Sequence, residues 1–141
     1  MKIIFVCTGN TCRSPMAEGI ARHFLSQHEI VSRGVMAQIG APIAEHTRHL
    51  LEQHHYPVPT AATLFTNEDV HADLILTMTS AHAQHIRMLY GDEVPVVTLN
   101  DYVGEDEEVS DPFGGTYEVY EATFQQLTRL VRQLEKNLAQ N

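Results

Sequence analysis

The sequence predicts an α/β fold, a three-layer α/β/α arrangement with a four-stranded parallel sheet and a phosphate-binding loop after strand 1. Short apolar runs alternate with segments of helical periodicity along the chain, which is typical of parallel sheets covered by helices on both faces. The chain has 141 residues, the size of one domain with its own core. From this length we expect a single domain over residues 1–141. The first apolar run leads into a loop that contains a cysteine and an arginine.

The first half of the chain is predicted to contain two strands and two helices. Residues 2–6 predict the first strand, because residues 3–6 are an apolar run typical of a buried strand. Ser14-Pro15 predicts a helix start, with serine at or near the cap and proline in the first turn. Residues 30–35 predict the second strand. A second helix is predicted from Pro42 to the residues before Tyr56-Pro57, since a residue that precedes proline disfavours helix.

The second half continues the alternation of apolar runs and helical periodicity. A polar stretch rich in Asp and Glu separates the fourth strand from the last helix, and we expect it to form a loop. In chain order the predicted elements are a short helix at 64–70, a strand at 72–78, a helix at 80–91, a strand at 94–99, the polar loop at 100–115 and a helix at 117–138.

The composition argues against several functions. The formal net charge is -9, with only nine Lys and Arg residues, so nucleic-acid binding is not expected. No apolar run approaches the roughly 18–20 residues of a membrane helix, and no signal-peptide pattern is present. We expect a cytoplasmic monomer without membrane contact, metal or cofactor. The nine histidines include the pairs His46/His49 and His82/His85, which we interpret as solvated helix surface, because no usual metal motif is present.

The loop that follows the first strand, Cys-Thr-Gly-Asn-Thr-Cys-Arg at residues 7–13, has the features of an anion site. A loop at a helix N-terminus directs backbone N–H groups inward, with the positive end of the helix dipole behind them. Five intervening residues let the backbone circle a tetrahedral anion, while the Arg13 fork pairs with two of its oxygens. Cys7 is a candidate nucleophile, because these positive surroundings stabilise its thiolate. The candidate binding residues are Thr8, Gly9, Asn10, Thr11, Cys12 and Ser14.

A second motif, Asp111-Pro112-Phe113-Gly114-Gly115, lies in the polar loop after the fourth predicted strand. A thiolate that attacks phosphorus needs an acid for the leaving group and then a base for water, and one carboxyl can serve in turn. Asp111 is the candidate for both roles. Phe113 is a candidate substrate contact that can stack on a guanidinium plane. We interpret the acidic run 105–108 as a solvated loop, with attraction of Arg- or Lys-rich segments as the alternative.

With both motifs on one chain, the sequence resembles the low-molecular-weight protein-tyrosine phosphatases. Residues 6–18 match the signature loop of that family, residues 111–114 match its acid loop, and the element order covers essentially the whole chain. The resemblance implies that Cys7 is the nucleophile, Arg13 the phosphate binder and Asp111 the general acid and then base. It also implies that Ser14 favours the thiolate, that Asn10 and Ser32 support the loop, and that Cys12 traps oxidised Cys7 as a reversible disulfide.

Within this family, the sequence is closest to the bacterial protein-arginine phosphatase branch. Tyrosine phosphatases of this type usually carry a branched aliphatic residue at the position of Thr11, and an aromatic pair where this chain has Phe113 followed by Gly114. The Thr11 hydroxyl suits a water or a compact guanidinium group and offers less packing to a phenol ring. We therefore predict hydrolysis of phosphoarginine in proteins through a cysteinyl-phosphate intermediate. The alternative is a tyrosine phosphatase.

Three further functions share part of this pattern. A thioredoxin-coupled arsenate reductase relays electrons through downstream cysteines, and none follows Cys12. A phosphocysteine carrier of a sugar-transport system would not need Asp111. An inert phosphopeptide-binding module would lack the nucleophile or the acid, and both are present. The phosphatase is therefore the favoured prediction.

Overall fold

The computed structural model describes residues 1–140. Its four parallel strands lie in the order β2-β1-β3-β4, so the predicted fold class is confirmed. None of the helices within this range is long and apolar enough to cross a membrane. The strands are Lys2–Cys7 (β1), Glu29–Gly34 (β2), Leu74–Thr77 (β3) and Val96–Thr98 (β4). The helices are Arg13–Phe24 (α1), Glu45–Gln53 (α2), Ser80–Tyr90 (α3), Leu99–Val103 (α4) and Tyr117–Ala139 (α5).

Strand β1 is central and is buried from Ile3 to Cys7, because it pairs with β2 on one side and β3 on the other. Side chains alternate across a strand, so Ile3 and Phe5 pack into the core beneath α1, α2 and α5. Ile4 and Val6 pack into a smaller core with Ala83 of α3. The chain order reverses between β1 and β3, and ligands of such sheets bind beyond the carboxyl ends of the strands at this point. The loop after Cys7 lies there.

Helix α2 begins at Glu45 and not at Pro42 as the sequence analysis predicted. The residues before it are extended, because their backbone groups are used in contacts with two other loops. The Ala44 N–H donates to the Thr11 carbonyl at 2.9 Å, and the Ala41 carbonyl accepts from the Ala62 N–H at 2.9 Å. Helix α2 therefore begins only after the segment that makes these contacts, one of which is with the Cys7 loop.

Two other predicted segments differ from the structure. The start of the predicted loop 100–115 is the short helix α4, which Thr98 caps by accepting from the Asp101 N–H and which ends at Gly104 with φ of 82°. The predicted helix 64–70 is only a 3₁₀ turn at Asp69–His71. It is followed at once by the segment that joins the sheet, where the Asp73 N–H donates to the Lys2 carbonyl at 3.0 Å.

Helix α1 approaches its neighbours most closely at Gly19. A Cβ at this position would lie 2.5 Å from the Pro57 carbonyl oxygen and 2.6 Å from the Cδ2 of Leu51. The Pro57 contact is with backbone, so it cannot be relieved by a side-chain rotation alone. Only glycine therefore fits here without a shift of α1 or of the segment after α2.

We expect Gly19→Ala to lower the free energy of unfolding by about 1–3 kcal/mol, the usual cost of overpacking a tight site. The sign of the change in unfolding free energy is informative, because a glycine-to-alanine change in a solvent-exposed part of a helix stabilises the protein by about 0.5–1 kcal/mol. Urea denaturation monitored by circular dichroism measures the difference. A variant as stable as the wild type, or more so, would show that the close approach of α1 is wrong.

Candidate active site

All the predicted site residues except Asn10 and Ser14 line one cleft of about 260 Å³ beyond the carboxyl end of β1. Cys7 lies at its base and is only 3% exposed. Phe113 lies at its rim and is 77% exposed. The structure therefore brings the two separate sequence motifs to a single place. The lining residues are Cys7, Thr8, Gly9, Thr11, Cys12, Arg13, Asp111 and Phe113.

The backbone of the Cys7 loop is arranged to receive an anion. Its carbonyl groups are turned outward, since Cys7 O accepts from the Val35 N–H at 3.0 Å, and Thr8 O accepts from the Met36 N–H at 2.9 Å. Within residues 1–140, no group accepts a hydrogen bond from the N–H groups of residues 8–12. Unpaired N–H groups in a loop before a helix form an anion-binding concavity.

Arg13 supplies the positive charge of the cleft and is 4% exposed. Its Nη1 donates to the Val109 carbonyl at 2.9 Å, and its Nη2 lies 3.7 Å from Oδ2 of Asp111. In the described part of the chain, its buried Nε has no hydrogen-bond partner. An unsatisfied buried donor costs about 1–3 kcal/mol. A tetrahedral anion in the cleft would offer this donor an oxygen.

Asn10 anchors the loop from behind, in a left-handed conformation with φ of 55°. Its Oδ1 accepts from the Thr63 N–H at 2.8 Å. Because a backbone N–H can only donate, this contact fixes which end of the amide is oxygen. The Nδ2 end therefore donates to Ser14 Oγ at 2.7 Å and to Ser32 Oγ at 2.9 Å.

The orientation of Asn10 limits where the Ser14 proton can go. Ser14 Oγ already accepts from Asn10, and it lies 2.9 Å from Cys7 Sγ and 3.3 Å from the Arg33 carbonyl oxygen. The Arg33 carbonyl and the Cys7 sulfur are therefore the two acceptors for its one proton, and donation to the sulfur stabilises a negative charge there. Cys12 occupies the cap position of α1, two residues before Ser14. The side chains of Asn10 and Ser14 are buried and do not line the cleft, and their contact with substrate stays a prediction.

The hydrogen-bond chain continues to Glu18, which the sequence analysis did not single out. Ser32 donates to Glu18 Oε1 at 2.7 Å, and Arg22 Nε lies 3.1 Å from Glu18 Oε2. Burial raises the pKa of Glu18 above its ordinary value, against the opposing effects of the Ser32 hydrogen bond and the Arg22 and Arg33 charges. A sequence signal did exist, because Glu18 lies four residues after Ser14 and so on the same face of α1.

Cys12, the predicted redox partner of Cys7, is 5% exposed. Its Sγ lies 3.3 Å from the hydroxyl of Tyr120 on α5, a contact that the sequence did not indicate. Burial raises the pKa of the Cys12 thiol, and burial together with the Cys12 contact raises the pKa of Tyr120. Both groups are therefore held in their protonated forms. The redox role of Cys12 stays a prediction.

The loop that carries Asp111 is tied to the sheet and to α3. The Val109 N–H donates to the Met78 carbonyl at 3.1 Å, and the Glu108 carboxylate accepts from the Ser80 N–H at 2.6 Å at the start of α3. Asp111 Oδ1 accepts from the Phe113 N–H at 3.0 Å, which leaves Oδ2 directed to Arg13. Glu108, from the predicted solvated run, therefore has a structural role.

The interpretation of the histidines as solvated surface is wrong for His82. This residue is 7% exposed, and its ring contacts Thr8 of the Cys7 loop at 2.8 Å. The i, i+3 spacing with His85 did not reveal the contact, because Thr8 is 74 residues away in the sequence. Among residues 1–140, no three His, Cys, Asp or Glu side chains form a group that could hold a metal ion.

The fold and this cleft define a protein phosphatase. The chain belongs to the low molecular weight phosphotyrosine protein phosphatase family, whose model matches residues 2–141. The family that the sequence resembles is thereby confirmed. Family membership leaves open whether the phosphoryl group is taken from tyrosine or arginine.

Individual relatives span nearly the full chain. A low molecular weight protein-tyrosine-phosphatase, PtpB of Staphylococcus epidermidis, is 47% identical over 135 residues, which are 96% of this chain and 97% of the relative. A YwlE arginine phosphatase variant with a phosphorylated active-site serine is 38% identical with a TM-score of 0.95, and 100% of this chain and 97% of that chain are covered. The YwlE arginine phosphatase of Geobacillus stearothermophilus is 34% identical with a TM-score of 0.93, covering 99% and 93%.

The buried carboxyl of Glu18 predicts a specific pH dependence of stability. Because its pKa is raised in the folded protein, its contribution to stability is fully present below its ordinary pKa and is lost as the pH rises through the folded value. Glutamine does not titrate. We therefore expect Glu18→Gln to gain stability relative to wild type as the pH rises from about 4 to about 7.

Urea unfolding at each pH measures this difference, with Glu52→Gln as the control. Glu52 is exposed and pairs with Arg48 four residues earlier, so its replacement should change stability little at any pH. If the difference between Glu18→Gln and wild type stayed constant or fell with pH, the raised pKa would be contradicted.

Proposed function

We propose that this protein is a cysteine-dependent phosphatase that hydrolyses phosphoarginine in proteins. The Cys7 thiolate attacks phosphorus, the P–N bond breaks, and the Asp111 carboxyl gives its proton to the departing guanidine nitrogen. The Asp111 carboxylate then takes a proton from water, whose oxygen attacks the cysteinyl phosphate and releases phosphate and the Cys7 thiolate. The loop N–H groups and Arg13 stabilise the charge on the phosphoryl oxygens in both steps.

Thr11 is the observation that carries the specificity for arginine. It lines the cleft next to Cys12, with its hydroxyl 3.7 Å from the Cys12 sulfur. A hydroxyl at this wall can accept from a guanidinium N–H or hold the attacking water. A branched aliphatic side chain here would instead offer apolar surface, which suits a phenol ring and leaves the guanidinium N–H groups without an acceptor.

The remaining walls of the cleft also favour a cationic leaving group. Phe113 is the one aromatic lining residue in the described part of the chain, so a phenol ring would have an aromatic contact on one side only. The other walls come from Thr8, Gly9 and Asp111. The Asp111 carboxyl group at the mouth, half exposed to solvent, offers an oxygen acceptor to guanidinium N–H groups, and a phenol ring has no N–H group to use it. Phe113 can stack on the guanidinium plane.

The relatives support both assignments. The solved YwlE structures named as arginine phosphatases are 38% and 34% identical to this chain. The PtpB protein of Staphylococcus epidermidis is closer in sequence, at 47%, and is named a tyrosine phosphatase. Tyrosine phosphatase activity is therefore the second candidate, and the exposed Phe113 ring at the rim is the structural feature that favours it. Both candidates share the thiolate chemistry and differ only in the leaving group.

The specificity is tested by comparing kcat/KM for phosphoarginine and phosphotyrosine peptides of one sequence. We expect the wild type to prefer phosphoarginine. We expect Thr11→Ile to lower the ratio of the two values by about tenfold or more, in the range that loss of a matched polar contact produces in a pocket. The physical reason is that isoleucine removes the acceptor and adds apolar surface.

Thr11→Ser keeps the hydroxyl and should leave the ratio within about twofold of wild type, since the polar contact persists. Thr60→Ile, at an exposed threonine outside the cleft, controls for the added apolar bulk. A Cys7→Ser preparation sets the background of each assay. A wild type that prefers phosphotyrosine, or a ratio that Thr11→Ile does not move, would refute the assignment to arginine.

A further inference from the structure

His82 connects helix α3 to the Cys7 loop. It lies in the first turn of α3, where Thr79 caps the helix by accepting from the His82 backbone N–H at 3.4 Å. The His82 ring also contacts Thr79, since its Nδ1 lies 3.2 Å from the Thr79 backbone nitrogen and 3.0 Å from the Thr79 hydroxyl oxygen. The other ring nitrogen, Nε2, lies 2.8 Å from the hydroxyl of Thr8.

These contacts assign the tautomer of His82. The Thr79 backbone N–H can only donate, so Nδ1 of His82 must accept and carries no proton. A neutral imidazole with a bare Nδ1 carries its proton on Nε2. The Nε2–H group therefore donates to the Thr8 hydroxyl oxygen. The Thr79 backbone N–H therefore determines that His82 donates and Thr8 accepts in the contact between them.

The charges around the ring keep it neutral. Burial lowers the pKa of His82 to about 4, and the positive charge of Arg13 from α1 acts in the same direction, as does His85 on α3. Asp111 and Glu108, from the loop that packs over the ring, oppose the shift but do not cancel it. His82 is therefore an uncharged donor across the neutral pH range.

The hydrogen bond from His82 determines where the proton of the Thr8 hydroxyl can be donated. Its oxygen accepts from His82, so its own proton is left for another acceptor, and residues 1–140 provide no second partner. Thr8 is exposed, follows Cys7 directly and lines the cleft. Of the groups that a phosphoarginine or phosphotyrosine side chain brings into the cleft, guanidinium N–H groups can only donate. The phosphoryl oxygens are the strong acceptors in both.

We propose that His82 is a positioning residue that holds the Thr8 hydroxyl with its proton directed into the cleft, where Thr8 donates to an oxygen of the bound phosphoryl group. This inference rests on the proposed phosphatase chemistry but is independent of the choice between arginine and tyrosine. Thr8 thereby adds a side-chain donor to the backbone N–H groups and Arg13. Helix α3 contributes none of the described lining residues of the cleft, and it contacts the Cys7 loop through the His82 ring.

The tautomer is tested first, by long-range ¹H–¹⁵N correlation NMR of the histidine rings in the full-length protein near pH 7. We expect His82 to be neutral with its proton on Nε2. A ring protonated on Nδ1, or on both nitrogens, would overturn the proposal, since Thr8 would then not be oriented as described.

The function is tested with variants that separate the two ring nitrogens. His82→Asn keeps an acceptor near Nδ1 for the Thr79 N–H but is too short to reach Thr8. His82→Gln places a donor near Nε2. We expect the dissociation constant of inorganic phosphate, from an NMR titration, to rise about ten- to hundredfold in His82→Asn, the range for a hydrogen bond to a charged group. In His82→Gln it should stay within about threefold of wild type.

A double-mutant cycle with Thr8→Val distinguishes positioning from a purely structural role of His82 in α3. Thr8→Val should weaken phosphate binding by about as much as His82→Asn. The combination should add less than about twofold, because both changes remove the same donor. Equal losses from His82→Asn with and without the Thr8 hydroxyl would overturn the proposal, as would phosphate binding that neither variant changes. Turnover of an aryl phosphate by the wild type, measured alongside, tests the phosphatase chemistry separately.

Discussion

The hydrogen bond from the Thr63 backbone N–H to Asn10 Oδ1 determines which side chains behind the Cys7 loop donate hydrogen bonds and which accept them. It fixes the amide, so both Asn10 protons go to serine hydroxyls. Ser32 is then left with a proton for Glu18, and Ser14 with a proton whose two acceptors are the Cys7 sulfur and the Arg33 carbonyl. The network of side chains therefore runs from the sulfur of Cys7 to the buried carboxyl group of Glu18. Each member has its donors and acceptors matched.

The fold places this network by means of one strand and one helix. Strand β1 is fixed at the centre of the sheet by pairing on both sides, so Cys7 at its end has little freedom. Helix α1 carries Arg13, Ser14 and Glu18 on its first turns, and its close approach at Gly19 sets its distance from the segment after α2. The same strand and helix therefore carry residues of the cleft and residues of the core. A shift of α1 would move Arg13 and Ser14 together.

The sequence predicted those features that local patterns determine. Apolar runs identified the four strands, and the Cys-x5-Arg spacing identified the loop and its cleft. Features that arise from contacts distant in sequence were missed. The Ser-Pro pattern predicts a serine at or near the helix cap, and it does not reveal that the Ser14 hydroxyl contacts Cys7 and Asn10. The lack of a metal motif predicts solvated histidines, and it does not reveal that the His82 ring contacts Thr8 in the loop after β1. The late start of α2 depends on Thr11, 31 residues before Pro42.

The central claim is that the Ser14 hydroxyl donates its proton to the Cys7 sulfur. It is tested most directly by the rate of Cys7 alkylation with iodoacetamide at one fixed pH, in a Cys12→Ser background that leaves one thiol. We predict that Ser14→Ala lowers this rate, because the sulfur loses a donor that stabilises its negative charge. Ser32→Ala, which leaves the Cys7–Ser14 contact in place, should lower it less. A rate that Ser14→Ala leaves unchanged would contradict the account.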